Sequence, residues 1–443
     1  RSLCDWSSDV CSSDLKAAGC NVAVDDITYP TNPFFKDGLI SRAIREVTAQ
    51  GMTYITSAGN FGMKSCEGVF NGTAVPSGNG LTGQAHDFGG GDVYQNITLD
   101  SGSYMAVLQW EDDFYSSDQA ASGAISDLDW YLTYNNGTTL FGMNRDNNGT
   151  VQNPVGGDPF EVLSFYVNIP AGMHVTANIL IVRDTGNVYP TNTKFKYVFF
   201  KCPSAAPVIN QYSQGNSTVV GHANCDSAIT VGAVRYSNTP AYDVVPTIAS
   251  FSSIGGTTCN GVVVNKPDLC APNGGNTTVD FGSPNEDMPY FTPPAHDSYP
   301  NFYGTSAAAP HVAGIAALMM QAKIKFYGQT VSPYQMKHLL TSTAVDMYPQ
   351  SLSGFDFLSG YGLADADSGM RTFAAPTPDL ISLDNKPTGY QLGDVVPSFT
   401  LIAYADYITT QSQIVFRDDT LPTIWIDEHH LSAVVPSFFG NPP

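Results

Sequence analysis

Ser306 lies where a tight turn meets the start of a predicted helix, in the segment YGTSAAAPHVAGIAALMMQAK (residues 303–323). Gly304 and Thr305 bring the chain round the turn, and small residues follow the serine. The first N–H groups of a helix have no partner within it, and the helix dipole is positive there. A serine hydroxyl at this place could attack a carbonyl carbon and leave the oxyanion beside stabilising donors. A simpler explanation is that the serine caps the helix, because serine is a common N-cap residue.

Asn60 ends the strand-like segment ITSAGN (residues 55–60) and is the second polar side chain of interest. Its carboxamide could donate an N–H to the same oxyanion, opposite the backbone N–H of Ser306. Taken alone, it could equally be a loop asparagine in a turn. His311 follows the serine by five residues, and a helix places it more than one turn away. We therefore expect His311 to be structural rather than a general base.

The segment around Ser306 resembles the nucleophile motif of the subtilisin-like serine proteases, through the pattern GTSAAAPHVAG (residues 304–314). ITSAGN resembles the strand that ends in the oxyanion asparagine of that family. Three later segments resemble its downstream sheet and loops: ITVGAV, ASFSSIG and KPDLCAPN, at residues 229–234, 249–255 and 266–273. The resemblance covers residues 16–60 and about 221–373. It implies a serine endopeptidase that hydrolyses polypeptides through an acyl-enzyme, without a cofactor.

The resemblance also implies the roles of individual residues. Ser306 would be the nucleophile and Asn60 the oxyanion donor. The residues expected to contact substrate are Asp26, Ser57, Ala58, Gly59, Gly304 and Thr305. The family's catalytic aspartate and histidine precede the segment seen here at residues 21–29, and none of the eight histidines has the matching context. We therefore expect a truncated fragment that lacks two triad members and has negligible activity by itself.

The sequence leaves open two alternatives to a subtilisin-like protease. Sedolisin-type proteases are a weaker enzyme alternative, because they place an aspartate in the oxyanion hole where this sequence has the asparagine of SAGN. An inactive, protease-derived adhesion or polymer-binding surface protein is the alternative from another class. The upstream coding sequence would distinguish the two, since an intact aspartate and histidine motif would favour activity.

The elements that must position Ser306 and Asn60 are those of an α/β fold. A strand at residues 21–24, a helix at about 38–50 and a strand at 52–57 predict a parallel pair with a right-handed crossover. Ile40, Ala43, Ile44 and Val47 form the apolar face of the helix. Residues 23–29 could pair with an extended peptide, with Asp25 and Asp26 favouring basic residues; solvent-facing carboxylates are the simpler reading.

The whole chain is expected to be an α/β protein: an incomplete, doubly wound parallel sheet of the subtilisin type, an inserted β-sandwich and a C-terminal Ig-like β-sandwich. The expected catalytic parts are residues 16–66 and 222–373. Residues 67–221 show short alternating strands and form the insert, which resembles a jelly-roll module. Residues 374–443 resemble an IPT/TIG-type Ig domain that is cut short. Residues 4–15 back-translate to a string that resembles a sequencing adapter, and residues 1–15 are expected to be an artefact outside the fold.

The amino-acid composition indicates which binding partners and which cellular compartment to expect. Among 443 residues, charged side chains make up only 13%, and the net charge is −21, which disfavours nucleic-acid binding. The sequence holds no apolar run of membrane-spanning length, and we expect an extracellular or cell-surface protein. Cys259 with Cys270, and Cys202 with Cys225, could form disulfides, with free thiols as the equal alternative. Asp127, Asp129 and Glu161 could contribute to a calcium site, although solvated carboxylates are the simpler reading.

Overall fold

The computed structural model describes residues 14–78, 80–134, 137, 139–146, 157–184, 192–203, 205–280, 299–348, 352–374, 377–391 and 393–439. The adapter-like segment lies almost entirely outside this part. The chain divides into two compact units, residues 1–320 with 330–366, and residues 321–329 with 367–443. No helix among the described residues is long and apolar enough to cross a bilayer.

The described part of the chain holds four α-helices whose bounds are given by the structure. They are α1 (Leu39–Ala49), α2 (Thr305–Tyr327), α3 (Pro333–Ser342) and α4 (Ala366–Arg371). Helix α1 buries Ala43, Ile44 and Val47 on one face, as their spacing predicts. Helix α3 begins with a capping box, in which the Ser332 side chain accepts from the Gln335 backbone N–H and the Gln335 side chain accepts from the Ser332 backbone N–H.

Short strands make up most of the regular structure of the first unit. They are β1 (Val22–Asp25), β2 (Thr53–Ser57), β3 (Ser65–Val69), β4 (Gly72–Ala74), β5 (Gln84–His86), β6 (Gln95–Leu99), β7 (Gly102–Trp110), β8 (Leu128–Tyr134), β9 (Leu140–Asn144), β10 (Phe160–Val167), β11 (Val175–Arg183), β12 (Lys194–Lys201), β13 (Val208–Ile209), β14 (Ile229–Arg235), β15 (Thr258–Cys259), β16 (Val262–Val263), β17 (Leu269–Asn273), β18 (Gly275–Asn276) and β19 (Asn301–Phe302).

A parallel sheet of four strands, in the order β1-β2-β14-β17, holds the site. Strand β2 is buried along its whole length, and Met52 and Ile44 pack in the layer between α1 and the sheet. The predicted parallel pair of β1 and β2 is present, with Val24 opposite Ile55. Because parallel strands end at the same edge, Asp25 and Ser57 reach that edge together. Asn60 follows three residues later.

Two antiparallel sheets form a β-sandwich between β2 and β14. One sheet has the order β10-β7-β12-β3, and the other includes β13-β6-β11-β5-β4 with β8 and β9. Large side chains from both sheets meet in one buried cluster, among them Trp110 and Tyr197 from the first sheet and Trp130 and Ile179 from the second. Strand β3 begins at Ser65 and pairs with β12 in an antiparallel arrangement.

The opposite face of the β7–β12 pair packs against the α/β part. Alternate residues of a strand face the same side, and here Val107 and Val198 join Phe34, Phe61 and Val220 in a buried cluster. The Gln109 side chain accepts from the Phe34 N–H at 2.8 Å and donates to the Pro30 and Asn32 carbonyls, each at 3.0 Å. The sandwich is therefore fixed to the loop that follows β1.

The second compact unit is also built from β-strands. Its strands are β20 (Asp379–Asp384), β21 (Val395–Val396), β22 (Phe399–Asp406), β23 (Val415–Phe416), β24 (Asp419–Thr420), β25 (Thr423–Trp425), β26 (His430–Val435) and β27 (Phe438–Phe439). Four of them form a sheet in the order β20-β22-β26-β25. Leu401, Ala433 and Val435 are buried between this sheet and its neighbouring loops.

The described cysteines are free thiols and do not form the two disulfides that were considered. All six described cysteines are free thiols, so the pairs Cys259–Cys270 and Cys202–Cys225 do not form. Cys270 lies in the central part of β17, where its Sγ donates to the Ser359 carbonyl at 3.5 Å. Cys202 instead accepts a hydrogen bond from the Lys64 Nζ. Burial raises the pKa of the Cys66 thiol to about 11, as expected for a packed and unreactive cysteine.

Candidate active site

Ser306 is the second residue of α2 and is half-buried at the mouth of a pocket. Its Oγ donates to the backbone carbonyl of Asp26 at 3.4 Å. The hydroxyl thus lies beside the segment that follows β1, where an extended peptide was expected to pair. Within the described ranges, no histidine ring and no carboxylate is hydrogen-bonded to this Oγ. The described contacts therefore supply a hydroxyl without a general base.

Asn60 is held by Thr305, the residue before the serine. The Asn60 Oδ1 accepts from the Thr305 backbone N–H at 2.9 Å and from the Thr305 hydroxyl at 3.0 Å. The Thr305 Oγ1 in turn accepts from the Gly59 N–H at 3.2 Å. Because Oδ1 has two donors, the amide orientation is determined and Nδ2 is turned away from Thr305. An exposed N–H donor beside Ser306 is what an oxyanion hole requires.

Two glycines allow this close approach. Gly304 has φ +125°, and a Cβ there would lie 3.2 Å from Asn60 Nδ2. Gly59 has φ +97°, and a Cβ there would meet the Phe61 ring at 2.6 Å. Both positions therefore require glycine for the backbone and for the space around Asn60.

Asn273 is a residue that sequence reasoning matched to the family without assigning a role. It ends β17 and is buried, and its Oδ1 accepts from the Gly304 N–H at 3.4 Å. This contact supports the turn that presents Thr305 and Ser306. Its position at the carboxyl end of a parallel strand was the available signal, because sites gather at that edge.

The pocket at Ser306 has a volume of about 300 Å³ and collects most of the expected contact residues. Asp26, Ser57, Gly59, Asn60, Thr305 and Ser306 all line it. Ala58, with 1% of its surface exposed, and Gly304 are not among the described residues that line it. Thr305 is fully buried, and its hydroxyl is occupied by Asn60 and Gly59. Its hydroxyl is therefore held where it orients Asn60, and a contact of Thr305 with substrate stays a prediction.

Asp25 does not face the pocket together with Asp26. Its carboxylate accepts from the Thr56 hydroxyl at 2.6 Å and from the Tyr54 hydroxyl, and it lies 3.3 Å from His222 Nε2. Burial alone would raise the pKa of Asp25, but the His222 charge and the hydrogen bonds lower it below its usual value. The idea that Asp25 favours basic substrate residues is therefore wrong. His222 is buried in this network, a partner that the sequence did not reveal.

The acidic residues of the sandwich form a second cluster. Glu161 is buried; its Oε1 accepts from the Asp146 N–H at 2.8 Å, and its Oε2 has no hydrogen-bond partner. Burial, with the charges of Asp129, Asp146 and Asp127, raises the pKa of Glu161 to about 9. Burial raises the pKa of Asp129 to about 7. In the described part of the chain, no group of three or more His, Cys, Asp or Glu side chains is placed to hold a metal ion. Calcium at Asp127, Asp129 and Glu161 stays a prediction.

The raised pKa values of this cluster predict that stability falls as pH rises. The folded state holds protons that the unfolded state releases near pH 4, so the free energy of unfolding decreases between about pH 4 and pH 9. We expect a loss on the order of a few kcal/mol by pH 8, and Glu161→Gln should remove much of it. Urea denaturation from pH 5 to pH 9 measures both.

The control for this prediction is the same series with added calcium. If Ca²⁺ binds the carboxylates, it favours their ionised forms, and stability at pH 8 should rise with calcium and fall with EDTA. Wild-type stability that is flat or rises with pH in the absence of calcium would contradict the protonated cluster.

Comparison with known proteins identifies the family to which this site is related. Residues 143–362 match the family described as Peptidase S8, Subtilase family, a range that includes Ser306 but not Asn60. Fervidolysin from Fervidobacterium pennivorans is 31% identical over 170 residues, 37% of this chain and 22% of its own. Subtilisin DY from Bacillus licheniformis is 32% identical over 160 residues, 36% of this chain and 43% of its own.

Solved structures give a second comparison. The Clostridium perfringens CspB protease superposes over 81% of this chain and 67% of its own, at 14% identity with a TM-score of 0.45, too low to support an argument. The chain spans less than half the length of the curated relatives it matches. Over residues 143–362, which include the Ser306 segment, this chain is thus similar to the subtilase family.

Proposed function

We propose that the complete protein is a subtilisin-like serine endopeptidase that hydrolyses polypeptides through an acyl-enzyme on Ser306. The observation that carries the proposal is the Asn60–Thr305–Ser306 arrangement. In this arrangement the Ser306 hydroxyl and the Asn60 amide line one pocket, and the Asn60 Oδ1 accepts from Thr305, which supports a role of Nδ2 as a donor. The family match over the Ser306 segment supports the same chemistry.

The proposed mechanism divides the work between Ser306 and Asn60. Ser306 Oγ attacks the scissile carbonyl, and a general base takes the hydroxyl proton. Asn60 Nδ2 and the Ser306 backbone N–H then donate to the tetrahedral oxyanion, and the proton passes to the leaving amine. Water then attacks the acyl-enzyme carbonyl, and the base takes a proton from the water and returns it to Ser306 Oγ. The acid product is released. The histidine base and its aspartate are proposed to precede residue 21 in the complete protein, as the family pattern has them.

Asn60→Ala tests the oxyanion role. We expect kcat to fall about 10²–10³-fold with little change in KM, because the donor acts on charge that develops in the transition state. The measurement is steady-state hydrolysis of a peptide p-nitroanilide by the complete protein. Thr305→Val is the companion variant, since it removes the hydroxyl that orients Asn60 and should give a smaller loss of kcat.

One outcome would favour the alternative function. If the complete wild-type protein hydrolyses no peptide and Asn60→Ala changes nothing, the inactive adhesion or polymer-binding protein becomes the better reading.

We also propose an extracellular or cell-surface location, and a binding or spacing role for the C-terminal strands, on the basis of the acidic, charge-poor composition and the Ig-like pattern.

A further inference from the structure

Two residues of the β-sandwich stand in the wall of the pocket at Ser306. Met105 lies in β7 and Phe200 in β12, and both line the pocket beside Asn60 and Phe61. The Phe200 ring lies 4.6 Å from the Phe61 ring, centroid to centroid, and 6.1 Å from the Phe34 ring. Phe61 directly follows Asn60, so the apolar wall adjoins the oxyanion donor.

Phe200 faces the α/β part because alternate residues of a strand face the same side, and Val198, two residues earlier, lies in the cluster on that side. In the β7–β12 ladder, Phe199 pairs with Ala106 and Lys201 pairs with Met105, so a β-bulge leaves Phe200 as the extra residue. Phe199 is buried inside the sandwich, whereas Phe200 joins the cluster that faces the α/β part. From this face of the sheet, Phe200 and Met105 both line the pocket.

The wall is firmly attached to the α/β part. On the same face of β7, Gln109 makes three hydrogen bonds to the backbone of residues 30–34. On the same face of β12, the fully buried Lys196 Nζ donates to Thr257 Oγ1 at 3.1 Å and to Ser217 Oγ at 2.5 Å. Met105 and Phe200 therefore belong to the pocket as fixed parts of its surface.

Charge in the pocket is sparse. Asp26 is the one ionisable residue among its described lining residues, and Met105, Phe61 and Phe200 present a continuous apolar face. A volume of about 300 Å³ between this face and the small residues Ser57 and Gly59 suits a large uncharged side chain.

We propose that Met105 and Phe200, supplied by the inserted sandwich, determine specificity by making the pocket select a large apolar or aromatic substrate residue next to the scissile bond. This inference rests on the proposed peptidase function and deepens it. The sandwich is then part of the substrate site, and it is more than an accessory to the catalytic domain.

The test compares four peptides with the complete protein. Succinyl-Ala-Ala-Pro-X-p-nitroanilides with X as Phe, Leu, Ala or Arg report the preference as kcat/KM. We expect wild type to favour Phe and Leu over Ala and Arg, and Phe200→Ala or Met105→Ala to lower the Phe value about 10–100-fold with the Ala value nearly unchanged. Phe200→Trp keeps the wall and reduces the space, so it should shift preference toward Ala.

Matched controls lie on exposed surfaces of the sandwich. Tyr166→Ala and Met173→Ala remove side chains of similar size that are 66% and 58% exposed, and they should leave the preference unchanged. Preference for Arg in the wild type, or an unchanged Phe-to-Ala ratio in both wall variants with folding intact, would overturn the proposal.

A binding measurement separates this inference from the peptidase proposal. The Ser306→Ala protein is titrated by calorimetry with N-acetyl-Ala-Ala-Pro-Phe and N-acetyl-Ala-Ala-Pro-Ala, which are product-like acids and need no catalysis. The proposal is supported if the Phe peptide binds more tightly than the Ala peptide and if Phe200→Ala abolishes this difference. This holds even if the wild type shows no turnover. Equal binding of the two peptides overturns the wall, even if the enzyme is active.

Discussion

Replacing Ser306 with alanine is expected to lower the kcat of the complete protein on the order of 10⁶-fold and to leave its stability close to wild type. The hydroxyl is half-exposed, and its described hydrogen bond is one weak contact to the Asp26 carbonyl at 3.4 Å. Its removal therefore costs the fold little, whereas the acyl-enzyme cannot form without it. Peptide hydrolysis and urea denaturation of the purified variant give the two values.

Ser332→Ala is the matched control for Ser306→Ala. Ser332 is a true N-cap, since its side chain accepts from the Gln335 N–H and completes the capping box of α3. Its loss should cost about 1 kcal/mol of stability and leave kcat unchanged. If the two variants behave alike, with a small loss of stability and no loss of turnover, Ser306 is a structural residue and the nucleophile assignment is wrong.

Lys196→Ala is expected to destabilise the first unit by about 3–5 kcal/mol, because it leaves Glu67 without its buried partner. The Lys196 Nζ is fully buried and donates to Glu67 Oε2 at 2.9 Å, to Ser217 and to Thr257. Burial lowers the pKa of Lys196, which Glu67 partly offsets, so the charge depends on these partners. Thr257 lies outside the two sheets of the sandwich, so the same change should loosen the attachment of the sandwich.

Two variants control this prediction. Lys201→Ala removes a lysine from the exposed end of the same strand and should change the free energy of unfolding by less than about 0.5 kcal/mol. Lys196→Met with Glu67→Gln replaces the ion pair by uncharged groups and should recover most of the loss. A Lys196→Ala protein as stable as Lys201→Ala would show that the buried lysine contributes nothing to the docking.

Local sequence was sufficient for the parts of the site that lie within one element. The turn before α2, the strand that ends near Asn60 and the apolar face of α1 follow from periodicity and small residues, and the structure has all three. Strand alternation could also have separated Asp25 from Asp26, because neighbouring residues of a strand point to opposite sides. The sequence pattern alone treated the two as a pair.

Long-range contacts were beyond sequence reasoning. Thr305 orients Asn60 across 245 positions, and His222 meets Asp25 across 197. No periodicity reports such pairs, because they depend on how the sheet and its crossings bring loops together. The same holds for the neighbours of Phe200, because its ring packs against Phe34 and Phe61, which lie far away in the chain. Met105 and Phe200 can be assigned to the pocket only from the way the sandwich packs against the α/β part.

Labelling with an alkyl fluorophosphonate tests the central claim most directly. The reagent phosphonylates a serine only when it is activated and next to an oxyanion hole. After treatment of the complete protein, tryptic peptides are analysed by mass spectrometry. We expect a single phosphonyl adduct on Ser306, absent in Ser306→Ala and much slower to form in Asn60→Ala. No adduct on Ser306 in a folded, complete protein would contradict the account.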